Sequence, residues 1–461
     1  MNLQKRYFSD YQKLGGINEL LIIALPMIIS TACDGVMTFT DRLFLARVGS
    51  EQMNAAMGGG VTMQMLMFFF TGLTGYSTAL VAQYFGANEK SNTTVASFQA
   101  IIITILAWPI ILLLKPLTAV YFQFMHIPAS QIGFQIEYLN ILAWGSVFGM
   151  LRYTLGCYFI GIGKTKIVML STITAMLTNV VLDYILIFGK LGFSPMGVSG
   201  AAIATVLGGV AAMLILIIAY LSKANQKEFD VMRSFKFSGD IMKKLIRFGY
   251  PAGLEFFLNF FAFATMLSLF YAQGECAATA TTILFNWDMV SFIPLIGIEV
   301  AVTSLVGRYM GASRPQVAHR SALSGIKAGL FYSTAILLLF LLIPEGLVRV
   351  FHPKEYSSMF EQSVPIAVTM VKMAAIYVLV EAVMVALVGA LRGAGDTLFT
   401  MVASVTAHWL FVPILYFSLN QLKLSVEMSW LMIIIAYLLF CSVLIIRFRN
   451  GKWKQIKVIR A

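Results

Sequence analysis

Charge is scarce in this chain: Asp, Glu, Lys and Arg make up 12% of its 461 residues, while hydrophobic residues make up 59%. A soluble globular protein carries about 25% charged residues, so an ordinary water-soluble domain is excluded. Also missing are the segments of about ten residues, alternating apolar and polar, from which a transmembrane β-barrel is built. Cysteine is limited to Cys33, Cys157, Cys276 and Cys441, scattered without metal-ligand spacing and saying nothing about redox. No paired histidines or activated nucleophile stand out, so a membrane-embedded enzyme is not expected. Residues 1–16 are polar and lack a cleavable signal, so the first apolar segment is expected to stay in place.

What the chain has in abundance is long apolar runs. Blocks such as 101–114, 201–221, 323–343 and 429–446 extend with their flanks to the roughly 20 residues that a helix needs to cross ~30 Å of hydrocarbon. Breaks at Gly, Pro, Asn and charged residues predict spans at 17–48, 52–87, 93–124, 131–162, 165–191 and 196–222. A second set falls at 243–274, 275–311, 315–351, 358–393, 395–422 and 426–449. The expected class is an all-α integral membrane protein with twelve transmembrane helices. An N-terminal half, 1–222, and a C-terminal half, 243–461 with a basic tail, flank a linker at 223–242. That linker carries Lys223, Lys227, Arg233 and Lys236, and the tail carries Arg447, Arg449, Lys452, Lys454, Lys457 and Arg460. The positive-inside rule places both in the cytoplasm. Six spans per half then put the N-terminus there too, in agreement with Lys5, Arg6 and Lys13. Basic loops facing an anionic leaflet account for the net charge of +12, and no nucleic-acid partner is expected.

The halves repeat one another. An offset of 225 residues aligns Pro26 with Pro251, Gly49 with Gly274 and Pro128 with Pro353, and leaves seven of sixteen positions identical between 72–87 and 297–312. After an insertion the offset becomes 232, pairing Leu155, Gly161, Gly163, Thr165 and Met169 with Leu387, Gly393, Gly395, Thr397 and Met401. Halves with an even number of spans share one orientation, so their pseudo-two-fold axis lies along the membrane normal, with a cavity expected between them. The repeat also disposes of a nucleotide-binding reading of Gly161-Ile-Gly-Lys-Thr165. A Walker A loop needs glycine where Tyr158 stands, and the partner run Gly393-Ala-Gly-Asp-Thr397 replaces lysine with aspartate. Both runs read as tight turns.

Acids inside apolar spans cost roughly 2.5–3.5 kcal/mol on insertion scales and are functional candidates by default. Six stand out: Asp34, Asp41, Asp183, Glu255, Asp288 and Glu381. Asp34 and Asp41 lie two turns apart on one face of span 1, while Asn179–Asp183, Glu255–Asn259 and Tyr377–Glu381 are each one turn apart. Asp41 and Asp183 fall at a similar depth, where with Asn179 and Thr205 they would supply hard oxygen ligands for Na+ or share a proton. The competing reading pairs these acids with intramembrane arginines such as Arg152 or Arg308, for structure alone. Glu137 and Glu299, nearer span boundaries, read as solvated. His408 reads as a satisfied core histidine, and most of the methionine and phenylalanine as lipid-facing filler.

These residues resemble the multidrug and toxic compound extrusion (MATE) transporters over essentially the whole chain. The matching runs are Pro26 with Asp41 fifteen residues on, Asn179-x-x-x-Asp183-Tyr184, Gly197-Val-Ser-Gly-Ala-Ala-Ile-Ala-Thr205, and Tyr377-x-x-x-Glu381 leading into Gly389-Ala-Leu-Arg-Gly393. The resemblance implies two six-helix lobes around a V-shaped cavity in the bacterial inner membrane, exporting small organic cations or drugs in exchange for Na+ or H+. It assigns Asp41, Asn179, Asp183 and Thr205 to ion or proton coupling, with Na+ as a candidate at Asp41, Asn179 and Asp183. Tyr377 and Glu381 match a C-lobe site, with Glu255, Asn259 and Asp288 as further cavity candidates and Asp34 as an additional one. The span-7 glutamate of the NorM-like branch falls at Asn259, whereas Pro251-Ala-Gly-Leu-Glu255 is closer to a DinF-like pattern, so the chain mixes two branches. No cofactor beyond the coupling ion is implied, and a monomer is expected. A flippase for a lipid-linked precursor shares this architecture, but it would favour a basic cavity.

Overall fold

The computed structural model describes residues 13–124, 129–352 and 358–459. The described residues form helices and no strands. Pro128, Pro353, Lys5, Arg6 and Arg460, used above for the repeat and the charge bias, lie outside them. The first half comprises α1 (Ile17–Val48), α2 (Ser50–Gly75), α3 (Ser77–Gly86), α4 (Lys90–Phe124), α5 (Ala129–Gly161), α6 (Thr165–Phe188) and α7 (Gly197–Tyr220). A short α8 (Lys223–Phe229) lies in the linker. The second half comprises α9 (Gly239–Tyr271), α10 (Glu275–Gly311), α11 (Pro315–Leu342), α12 (Pro344–Arg349), α13 (Ser358–Ala394), α14 (Thr397–Tyr416) and α15 (Val426–Arg449).

Eleven helical segments among the described residues are long and apolar enough to cross a membrane, α2 and α3 counting as one. The predicted fourth span, α5, completes the set of twelve; its 33 residues suffice in length, but Gln131, Gln135, Glu137, Asn140 and Arg152 make it more polar than the rest. Span 9 ends sooner than the sequence predicts. Ile343 leaves the helical region at φ −131°, because the ring of Pro344 disfavours helix in the residue before it, and α12 starts afresh.

Contacts divide the chain into two units. One contains Leu25–Leu254 and Gly307–Ser313; the other contains Glu255–Val306, Arg314–Lys457 and the described residues through Ala24. In the first unit, helices approach closely through glycine, the small-residue packing of membrane bundles. A Cβ on Gly72 would lie 2.7 Å from the Ala252 carbonyl oxygen, and one on Gly249 2.5 Å from that of Leu73. The tightest contact is reciprocal and follows the repeat. A Cβ on Gly86 would stand 1.8 Å from the carbonyl oxygen of Arg308, and a Cβ on Gly311 1.9 Å from that of Gln83. Gly86 pairs with Gly311, and Gln83 with Arg308, at the offset of 225.

The same duplication is written in the backbone. Asn88 (φ 63°) and Ser313 (φ 57°) are repeat partners, both left-handed just past a helix end, as are Gly163 (φ 78°) and Gly395 (φ 95°). Lys164 N–H donates to the Phe159 carbonyl, and Asp396 N–H to that of Leu391, each at 2.8 Å and again 232 residues apart. These are the tight turns the sequence predicts in place of a phosphate loop. The linker folds onto the first unit. Phe229 is fully buried, Asn225 accepts from the Tyr158 hydroxyl at 3.2 Å, and Glu228 bridges Lys164 at 3.0 Å and Lys90 at 3.5 Å. In the second unit a continuous core joins Phe270, Leu284, Phe340, Val348, Met370 and Trp430.

Candidate functional site

The first unit buries the Asp41 group. Asp41 comes from α1, Asn179 and Asp183 from successive turns of α6, and Thr205 from α7. Asn179 and Asp183 are fully buried and Asp41 is 6% exposed. Glycine positions Thr205: a Cβ on Gly208 would meet the Ala175 carbonyl oxygen at 2.9 Å and the Asn179 Cβ at 3.3 Å, so α6 and α7 can touch only because it is absent. The Thr205 hydroxyl lies 3.2 Å from Asp41 Oδ2 and 3.0 Å from the Ala201 carbonyl, and its single proton can satisfy only one of them. Asn179 Nδ2 points at Thr205 Oγ1 at 3.5 Å. The carboxyl groups of Asp41 and Asp183 face one another, with Asn179 beside both. Yet Asp41 Oδ1, both oxygens of Asp183 and Asn179 Oδ1 are buried without a donor. Two facing carboxylates in a low-dielectric interior repel, and unmatched acceptors there are costly. A shared proton or a monovalent cation would supply the missing positive charge, and carboxylate, amide and hydroxyl oxygens are the donor set a hard cation prefers.

The second unit holds a cavity of about 120 Å³. Asp288 of α10, Tyr377 and Glu381 of α13, and His408 of α14 line it together with aromatic side chains. The Tyr377 hydroxyl donates to Asp288. Glu381 Oε2 is buried with no donor. His408 Nδ1 lies 2.8 Å from the Ser404 carbonyl, which can only accept, so Nδ1 carries the proton and Nε2 keeps a lone pair. The rings touch in succession, Phe263 with Phe285 (5.2 Å), Phe285 with Trp430 (5.6 Å), Trp430 with Tyr377 (5.7 Å) and Tyr377 with Tyr437 (5.9 Å). Phe411 continues the chain from Tyr437 at 6.0 Å to His408 at 5.4 Å.

Other acids are already matched. Asp34 pairs with Arg152 at 3.3 Å, one of the arginines considered for it. Glu255, expected with Glu381, does not line the cavity; Arg392 holds it at 3.0 Å and also grips Glu299. Glu299 is therefore in an ion pair rather than free in solvent, whereas Glu137 is exposed, as the sequence predicts, and accepts from Ser199. Asn259, also expected in the cavity, is not among its lining residues and donates to Ser404 Oγ at 2.8 Å. His408, read in the sequence as a satisfied core histidine, does bond the Ser404 carbonyl through Nδ1, and its ring also lines the cavity that Asp288 and Glu381 line. Arg392 was visible within the Gly389–Gly393 run, but its two carboxylate partners lie on other helices.

A repeated twelve-helix membrane architecture with unmatched acids buried in each unit defines a class, that of membrane proteins which move small solutes or ions. The MatE family model matches the chain twice, over 26–185 and 251–417, and the chain belongs to that family. The two matches begin at Pro26 and Pro251, the pair on which the internal repeat was aligned. The chain is 26% identical over 449 residues to a probable multidrug resistance protein NorM of Thermotoga maritima, covering 96% of this chain and 94% of that one. It is 28% identical over 398 residues to the multidrug resistance protein PmpM of Pseudomonas aeruginosa, covering 85% and 82%. A solved multidrug resistance MATE family transporter of the MOP superfamily, in an outward-facing conformation, shares the fold with a TM-score of 0.87 at 21% identity, covering 96% and 98%. A MOP superfamily transporter from Pyrococcus furiosus shares it with a TM-score of 0.86 at 21% identity, covering 96% of this chain and 98% of that one.

Proposed function

We propose that the protein is a secondary antiporter of the bacterial inner membrane, with both termini cytoplasmic, that exports small organic cations or drugs in exchange for Na+ or H+. It works as a transporter and not as an enzyme. The observation that carries the coupling role is the cluster of buried oxygens without donors at Asp41, Asn179 and Asp183. A site that needs one positive charge binds a proton or Na+ when open to the side where that ion is abundant and releases it on the other. Binding changes the charge of a buried group, and that change biases the protein between two access states. The acids of the second cavity, Asp288 and Glu381, attract the cationic substrate. Relatives named as multidrug resistance proteins support drug export.

Purified protein in sealed vesicles tests the reading directly. A cationic dye is expected to move against its gradient when an opposing H+ or Na+ gradient is imposed, and the two gradients applied separately identify the coupling ion. Equal dye movement with no ion gradient would contradict the antiport.

A further inference from the structure

We propose that the linker segment 232–237 is a binding site for an anionic phospholipid, its exposed apolar side chains entering the edge of the bilayer while Arg233 and Lys236 take the lipid phosphate. The inference lies outside the transport reaction and does not depend on which ion or solute is moved.

The backbone of this segment is tied down. Val231 and Ser234 are the two ends of a single 3-10 turn (Val231–Ser234), and both are buried. Residues three apart in such a turn share one side, so Met232 and Arg233 between them point away from the protein. On either side of the turn the chain is bonded to α4. Thr94 donates to the Phe229 carbonyl at 3.1 Å, and Gln99 donates to the Lys236 carbonyl at 3.0 Å while accepting from the Ser238 N–H at 3.2 Å. Met232 is nevertheless 65% exposed and Phe237 67%, with Phe235 exposed between them. Several large apolar side chains held outward together on a fixed backbone mark a surface shaped for an apolar neighbour.

That neighbour is the bilayer. Phe235 meets Phe98 of α4 edge to face, ring centres 5.3 Å apart. Phe98 stands two turns, roughly 10 Å, before Ile105 on the same side of this membrane-crossing helix, and the exposed face continues through Leu106, Leu113 and Leu117. The linker rings thus prolong the lipid-facing stripe of α4 at its N-terminal end, the headgroup level where aromatic side chains collect. Charge then selects the headgroup. Arg233 is 87% exposed in its side chain and has only a loose contact with Asp230 at 3.7 Å, and among the described residues no acid pairs with Lys236. Two cations set among apolar side chains at this level match a lipid phosphate whose acyl chains cover Met232 and Phe237. A zwitterionic lipid brings its own ammonium and gains less from them.

Native mass spectrometry of the full chain, delipidated in detergent and then given phosphatidylglycerol or phosphatidylcholine, reads the affinity of each bound lipid. The tightest phosphatidylglycerol is expected to bind the wild type about tenfold or more better than phosphatidylcholine does. Arg233→Gln combined with Lys236→Gln is expected to weaken it by about tenfold or more. Lys452→Gln combined with Lys457→Gln removes the same exposed charge from the tail and is expected to leave it unchanged. Met232→Ser combined with Phe237→Ser is expected to weaken both lipids at an unchanged melting temperature, because both side chains are exposed. Equal affinity of the wild type for the two lipids, or a tightest site untouched by the Arg233 and Lys236 changes, overturns the proposal. Equal weakening by the tail pair assigns the effect to net charge and overturns the site. Displacement of the lipid by inorganic phosphate, or undiminished binding after the Met232 and Phe237 changes, overturns the bilayer contact. No gradient is present, so failure here and failure of gradient-driven transport are separate outcomes.

Discussion

Asp34 and Glu255 each face a guanidinium, whereas Asp41 and Asp183 face one another. Arg392 neutralises the buried Glu255 and Arg152 the half-exposed Asp34, whereas a buried unmatched pair must recruit a charge from outside. That difference separates the paired acids from those for which a coupling role is proposed, and it was only partly legible in the sequence. Spacing placed Asn179 and Asp183 on one face of a helix, but every partner that decided an acid's role lies far along the chain: Arg152 for Asp34, Arg392 for Glu255, Thr205 for Asp41. Glycine gives a second residue-scale test. A methyl group at position 86 would collide with the Arg308 backbone, while one at Gly149 meets nothing within 4 Å. Gly86→Ala is expected to cost about 1–3 kcal/mol or more, seen as a lower melting temperature in detergent. Gly149→Ala, in a helix interior, should leave that temperature unchanged or raise it. Equal melting of the two variants would remove the close approach from the account.

Among the elements, span boundaries were the most legible feature, because Gly, Pro and charged residues mark them: α1, α10 and α15 begin and end where the sequence predicts. The linker was not legible. Its basic residues place it in the cytoplasm but do not show that Phe229 is buried or that Glu228 answers Lys90 at the start of α4 and Lys164 in the turn before α6. Lys164 beside Glu228 holds its carboxyl below the ordinary glutamate value of 4.5, with Lys90 adding to the effect. A carboxyl whose pKa is lowered by docking stabilises the docked state above that ordinary value, and the contribution fades as pH falls through it toward the lowered one. The pair is partly exposed, so the stabilisation is small and salt-sensitive. Limited trypsin digestion should therefore cut after Lys223 or Lys227 faster in Glu228→Gln than in the wild type at neutral pH, and high salt should narrow the difference. Equal cutting at low salt would show that Phe229 and Asn225 hold the linker without help from the ion pairs.

At the scale of the whole molecule, the duplication kept the parts that shape the backbone. Pro26 and Pro251, Gly86 and Gly311, Asn88 and Ser313, and Gly163 and Gly395 recur with the same local geometry. The chemistry diverged: Asp41 aligns with Met266 and Glu381 with Gly149. One unit carries a small polar cluster without donors, the other an aromatic cavity with acids and a histidine. The central claim is that the Asp41–Asp183 pair couples ion flow to export, and the most direct test compares two assays on the same vesicles. Asp41→Asn and Asp183→Asn are each expected to reduce gradient-driven dye export at least tenfold while equilibrium binding of the dye persists. Gradient-driven export at the wild-type rate in both variants would contradict the account.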